Sequence, residues 1–209
     1  MSKFGFESLG NLSLGGNQGV TGAILPPADF AGREKELAGL GGPRKAIAYY
    51  QQQLTVAREL GDRRGEANAL MHIGIAYKQL GKPRQAIEHY EQALPLLREL
   101  GDRRGEGLAL GDLGLACATL AEMRQAIGYF ERCLPILREV GDRQGEGLAL
   151  WHMSLLLDLL REPVQTIMAH AEAALAIYEQ IEDPHVDMVR RQLGVWRAKA
   201  SRPWWQFWV

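Results

Sequence analysis

Cysteine is scarce in this chain, with two in 209 residues, Cys117 and Cys133. Two thiols at positions that the apolar pattern assigns to the interior make no disulfide framework, metal site or catalytic nucleophile. Excess charge of either sign is also missing: 24 Lys and Arg stand against 25 Asp and Glu, for a formal net charge of -1. No whole-molecule field therefore draws the chain to nucleic acid or an acidic membrane. No stretch reaches the roughly 18 to 20 apolar residues that span a bilayer. Residues 1–14 hold a single Lys and no continuous apolar core, so no secretory signal is expected and a cytoplasmic location is the default. Phosphate-binding G-x-x-x-x-G-K-[ST] and nucleophile-elbow G-x-S-x-G patterns are lacking. His72, His89, His152, His170 and His185 have no His or Cys companion at ligand spacing. Catalytic residues, metal and cofactor are all expected to be none, and the chain is not expected to be an enzyme.

What the chain does have is internal repetition, the feature to look for first because it decides the architecture. The segment GDRRGEANALMHIGIAYKQLGKPRQAIEHYEQALPLLREL, residues 61–100, is followed without insertion by GDRRGEGLALGDLGLACATLAEMRQAIGYFERCLPILREV, residues 101–140, and by a third copy at 141–180. Residues 41–60 match the second half of the unit, and 181–200 match the first half in apolar spacing. Each copy reads as two amphipathic helices. Leu70, Ile73, Gly74 and Tyr77 recur at helical spacing, Gly81-Lys82-Pro83 interrupts, and Ala86, Tyr90, Ala93 and Leu97 mark the second stripe. Pro83 suits the first turn of that second helix. Gly61, Gly101 and Gly141 stand where a helix must end in a residue that tolerates positive φ, and the Asp after each can cap the next helix. Pro95 and Pro135 fall inside second helices and are expected to bend them.

The arrangement Leu70, Ile73-Gly74, Tyr77, Gly81, Ala86, Tyr90, Ala93 resembles the tetratricopeptide repeat, with Leu at the usual Trp position. The copy at 101–140 matches through Leu110, Leu113-Gly114, Ala126 and Phe130, with Cys117 for an aromatic and Cys133 for Ala. In the third copy Ser154, Thr166 and His170 replace the Gly, small and aromatic residues. The period of 40 resembles the long-period repeats of kinesin light chains, spindle-orientation adaptors and bacterial regulatory proteins. The resemblance implies an all-α, right-handed solenoid of antiparallel helix pairs whose first helices line a concave groove. It implies a protein or peptide partner and no reaction.

By that family register the groove residues are Asn68, Met71, His72, Ile75, Lys78 and Gln79, then Gly111, Asp112, Leu115 and Thr119, then Trp151, His152, Leu155 and Asp158. Relatives that grip a carboxylate often place Asn where Ile75, Leu115 and Leu155 stand here, so an amphipathic helix or hydrophobic segment is the expected occupant. Trp151 is the expected anchor, since large aromatics carry much of an interface's energy. The aliphatic trio has a second reading as packing between neighbouring helices.

The expected organisation is a leader at 1–26, a solenoid at 27–200 with its opening half repeat at 27–60 and a capping helix at 181–200, and an aromatic tail at 201–209. Within 27–40, Phe30-Ala31-Gly32-Arg33-Glu34 with Glu36-Leu37 resembles the opening of STAND-type ATPase modules, whose phosphate loop does not follow here. The segment reads as the first helix of the half repeat. In the tail, Trp204, Trp205, Phe207 and Trp208 follow Arg197, Lys199 and Arg202. Three destinations suit them: a cap on the last helix, the groove of another copy in a self-assembling structural module, or a membrane interface. The leading expectation is an adaptor that binds a partner segment.

Overall fold

The computed structural model describes residues 42–201. The leader, the ATPase-like string and the aromatic tail, with Trp204, Trp205, Phe207 and Trp208, lie outside the described residues. Among the described residues eight helices follow one another: α1 (Gly42–Leu60), α2 (Arg63–Gln79), α3 (Pro83–Glu99), α4 (Arg103–Thr119), α5 (Met123–Glu139), α6 (Arg143–Leu159), α7 (Val164–Gln180) and α8 (Val186–Ala200). Each packs on the next in series, and α4 also touches α6. This is an all-α solenoid in which one core runs through every pair.

The joints between repeats are built three times from the same residues. Gly61, Gly101 and Gly141 have φ of 67°, 65° and 72°, a backbone that glycine adopts without steric cost. The amide of the following Asp then donates back to the carbonyls of Ala57, Leu97 and Leu137 at 2.8, 2.9 and 2.9 Å, satisfying helix-end acceptors. The same Asp turns forward. Asp62, Asp102 and Asp142 accept from the amides of Gly65, Gly105 and Gly145 at 2.9, 2.8 and 2.8 Å, capping α2, α4 and α6. Glu66, Glu106 and Glu146 complete the joint. Each lies between an Arg on the helix before, Arg58, Arg98 or Arg138 at 2.8, 2.7 and 2.7 Å, and the first Arg of its own helix, Arg63, Arg103 or Arg143.

Within a repeat the two helices approach through a glycine. A Cβ on Gly74 would lie 2.5 Å from the Tyr90 ring, and one on Gly114 would lie 2.9 Å from Phe130. The ring thus occupies the space that a side chain would need. In the third repeat Ser154 is buried at the glycine position and donates to the Trp151 carbonyl at 2.7 Å, while His170 is half-buried. A different pair substitutes: Gly147 receives the buried Tyr178 ring, 2.8 Å from where a Cβ would stand. Pro83 begins α3, and Pro95 and Pro135 lie inside α3 and α5, each of which continues as one helix.

The turn inside each repeat repeats less faithfully. Gly81 has φ 66°, but its counterparts are Ala121 at 60° and Arg161 at 59°, where a side chain costs about 1–2 kcal/mol. Ala121→Gly is therefore expected to be neutral to stabilising by up to ~1 kcal/mol, after allowing for the added freedom of the unfolded chain. Gly74→Ala should destabilise by about 1–3 kcal/mol through overpacking against Tyr90. Urea denaturation of the two variants checks the opposite signs.

Candidate protein-binding face

The first helices of the repeats are α2, α4 and α6, and α8 continues the series. The contact between α4 and α6 brings these two first helices together. Ile75, Leu115, Leu155 and Val195 stand one 40-residue period apart on these helices. Ile75 and Leu155 are half-buried, Leu115 is buried and Val195 is 59% exposed. Met71 and Leu108 are likewise half-buried against the core, and Leu159 is half-exposed. Asn68 and Thr119 are exposed.

The charges beside this apolar column pair with each other. Lys78 Nζ lies 2.6 Å from Asp112 Oδ1, joining α2 to α4. Lys199 lies 3.2 Å from Asp158, joining α8 to α6. Of the expected groove residues, Lys78 and Asp112 are thus brought into direct contact. Below them the Tyr90 side chain is buried; burial first, and then the Asp112 carboxylate, hold its pKa far above the usual phenol range.

Burial pushes both the Cys117 and Cys133 thiols up to about 12, with nearby carboxylates adding to the effect, so neither is a ready thiolate. Among the described residues no three His, Cys, Asp or Glu side chains form a group able to hold a metal. Among the same residues no helix is long and apolar enough to cross a membrane.

Comparison with known proteins agrees with this geometry. Tetratricopeptide repeat families match residues 37–99 and 109–144. The chain is a tetratricopeptide-repeat protein. Solved structures resemble it in fold. BtubC (BKLC) from P. vanneervenii is 18% identical with a TM-score of 0.61, covering 76% of this chain and 67% of its own. The apo form of RapI is 19% identical with a TM-score of 0.68, covering 82% and 46%. A STAND protein with a tetratricopeptide repeat sensor from Pyrococcus horikoshii is 18% identical with a TM-score of 0.63, covering 81% and 30%. The chain therefore spans less than half the length of the latter two. No curated protein sequence matches it.

In this tetratricopeptide array the central and third first helices are more enclosed than their sequence register suggests. Trp151, expected on an open groove wall, is only 4% exposed and packs against Trp196 of α8 with ring centroids 5.9 Å apart. The extra helix covers it. His152, also expected on the wall, is fully buried; its Nδ1 lies 2.8 Å from the Leu148 carbonyl and its ring stacks near Phe130 at 5.8 Å. Leu115 and Asp112 are buried by the neighbouring helices as well, so the trio Ile75, Leu115 and Leu155 serves partly as inter-helix packing. His72 is half-buried and stacks on Tyr50 at 4.5 Å. Val195, Leu108 and Leu159 were not among the expected wall residues. Carrying Ile75 forward by whole periods reaches Val195, and that was the available signal.

Two outcomes follow for the repeat array. Trp151→Ala should cost about 3–5 kcal/mol of stability as a core truncation, seen as a lower urea midpoint. Burial lowers the His152 pKa from 6.5 to about 4. The unfolded chain therefore binds a proton that the folded chain refuses between these limits. Stability from this site is complete above pH 6.5 and is lost as pH falls towards 4. The loss should reach a few kcal/mol, on the order of 3, and His152→Phe should flatten that part of a stability-against-pH curve.

Proposed function

We propose that this tetratricopeptide-repeat chain is a non-enzymatic adaptor that holds an amphipathic helix or hydrophobic segment of a partner protein against its first-helix face. The family and the fold of its structural neighbours support protein–protein interaction in general. The observation that carries the finer reading is the column Ile75, Leu155 and Val195 with Met71 and Leu108 beside it, partly open at its surface. Its adjacent charges are already occupied in the Lys78–Asp112 and Asp158–Lys199 pairs. A carboxylate ligand would have to break those pairs, whereas an apolar side chain needs only to cover exposed aliphatic area. Affinity then comes from anchors set in the face, as in other helix-in-groove complexes.

Catalysis has no support in the interior chemistry, where both thiols are held protonated. Asn68, Met71, Ile75, Lys78 and Leu155 are the residues assigned to partner contact. Trp151 and His152 support the face from beneath.

Affinity capture from cells of the source organism, followed by titration of the purified partner, tests the assignment. Ile75→Glu should weaken binding roughly thirty-fold, the equivalent of a hot spot of about 2 kcal/mol. Val56→Glu, on exposed α1 surface away from the face, should leave binding unchanged. Equal affinity for the Ile75→Glu chain, with its circular dichroism intact, removes this face as the binding site.

A further inference from the structure

The first two repeats open on paired arginines, and the two members of each pair face different surroundings. Arg63 and Arg103 are held in the joints, bound to Glu66 and Glu99 and to Glu106 and Glu139. Arg64 and Arg104 are turned about 100° from them around the helix. Both are exposed, and neither makes an ion pair among the described residues. Their direction is that of the aliphatic column. Each stands eleven residues before Ile75 or Leu115, three helical turns and about 16 Å along the axis, and so shares the column's side of α2 or α4. The place where relatives that grip a carboxylate put Asn is held here by Ile75 and Leu115, so the two arginines belong to a different part of the face.

The charge of this face is lopsided. Arg191, one turn before Val195 on α8, is a third exposed cation on it. Its Nε donates to the Asp187 carbonyl at 3.2 Å, and its guanidinium makes no ion pair among the described residues. The carboxylates in the same sector of the first helices, Asp112 and Asp158, are each matched by a lysine, Lys78 and Lys199. Arg64, Arg104 and Arg191 are therefore uncompensated within the face, on a chain whose formal net charge is -1. A local excess of this kind attracts anionic groups and repels cationic ones before contact is made.

We propose that the partner segment held on this face is acidic as well as amphipathic: its apolar side chains cover Ile75, Leu155 and Val195 while its carboxylates meet Arg64 and Arg104. This inference rests on the adaptor reading above and adds the partner's charge to it. Position separates the two kinds of contact. The arginines stand about three turns from the column, so the carboxylates are set apart from the apolar anchors and not interspersed with them. Guanidinium groups suit the contact, because their paired donors match both oxygens of a carboxylate. A nucleic acid strand would engage the arginines through its phosphates yet leave the aliphatic column uncovered, so the combination favours a protein segment.

Random peptides displayed on phage and selected on the full chain test it. Selected peptides that no longer bind the Ile75→Glu chain define occupants of the face, and these are synthesised and titrated. They should carry net negative charge. Arg64→Glu with Arg104→Glu should weaken them about tenfold at low salt, with the gap shrinking at high salt. Arg64→Gln with Arg104→Gln should weaken them less, and Arg124→Glu, exposed on α5, should change nothing. Three results overturn the acidic-partner inference: face-dependent peptides that are neutral or basic, affinities indifferent to both pairs of arginine substitutions with circular dichroism intact, or a thymidine oligonucleotide that competes as well as the peptides. In the first two cases the adaptor face stands. Absence of any peptide sensitive to Ile75→Glu removes the face itself, and this inference with it.

Discussion

A helix pair in this chain holds together because one helix removes a side chain where the other inserts a ring. Gly74 under Tyr90 and Gly114 under Phe130 bring the helices closer than any Cβ would permit, and that spacing lets Ile73, Leu97, Leu113 and Leu137 leave water almost completely. A single pair would still expose the opposite side of its stripe. Stability in such a stack comes from each unit and its neighbours together, and the core accordingly continues from α1 to α8. The third repeat shows that the constraint is the close approach itself. When serine fills the notch, the ring contact moves to Gly147 and Tyr178.

Spacing within a pair does not determine how pairs turn relative to each other. That is the task of the joint, where a left-handed glycine, a capping Asp and a bracketed Glu recur every 40 residues. Exposed ion pairs contribute little individually, but Glu106 and Glu146 are 6% and 4% exposed and would be costly to bury without their arginines. The ladder therefore specifies register more than it adds stability. It stops at the last joint, where Tyr178 and Val186 take the places of Arg and Glu. There the backbone also departs: Glu182 carries the positive φ of 53°, and Asp183 accepts from the His185 amide at 2.8 Å. The change from charge to apolar contact marks the passage from repeats to α8.

That passage shapes the face on which the functional reading rests. Adding α8 buries Trp151 against Trp196 and closes the third first helix, while Val195 extends the aliphatic column outward. Pairing Lys78 with Asp112 and Asp158 with Lys199 spends nearby charge on holding first helices to one another. The fold alone says little about what is bound; the proposed reading rests on an aliphatic column that stays partly open beside charges already paired with each other.

Repetition made most of the architecture legible. Gly61, Asp62 and their periodic copies announce a joint because positive φ and N-capping are local requirements that particular residue types meet. Leu70, Gly74 and Tyr90 announce a pair because their spacing is that of two facing helices. The site was legible only in part. Register placed Ile75, Lys78 and Leu155 on first helices, but it could not tell how far neighbouring helices would cover Leu115, Trp151 and His152. Nor did it distinguish a partner-binding carboxylate from Asp112, which the fold hands to Lys78. Covering depends on residues 22 to 45 positions away, as with Phe130 over His152 and Trp196 over Trp151, and on the turn accumulated between repeats. Sequence by itself determined the helices, their caps and their order, since these follow from local backbone chemistry and periodic burial. Tertiary structure alone decided which side chains of the inner helices remain open, since exposure is a property of the neighbours.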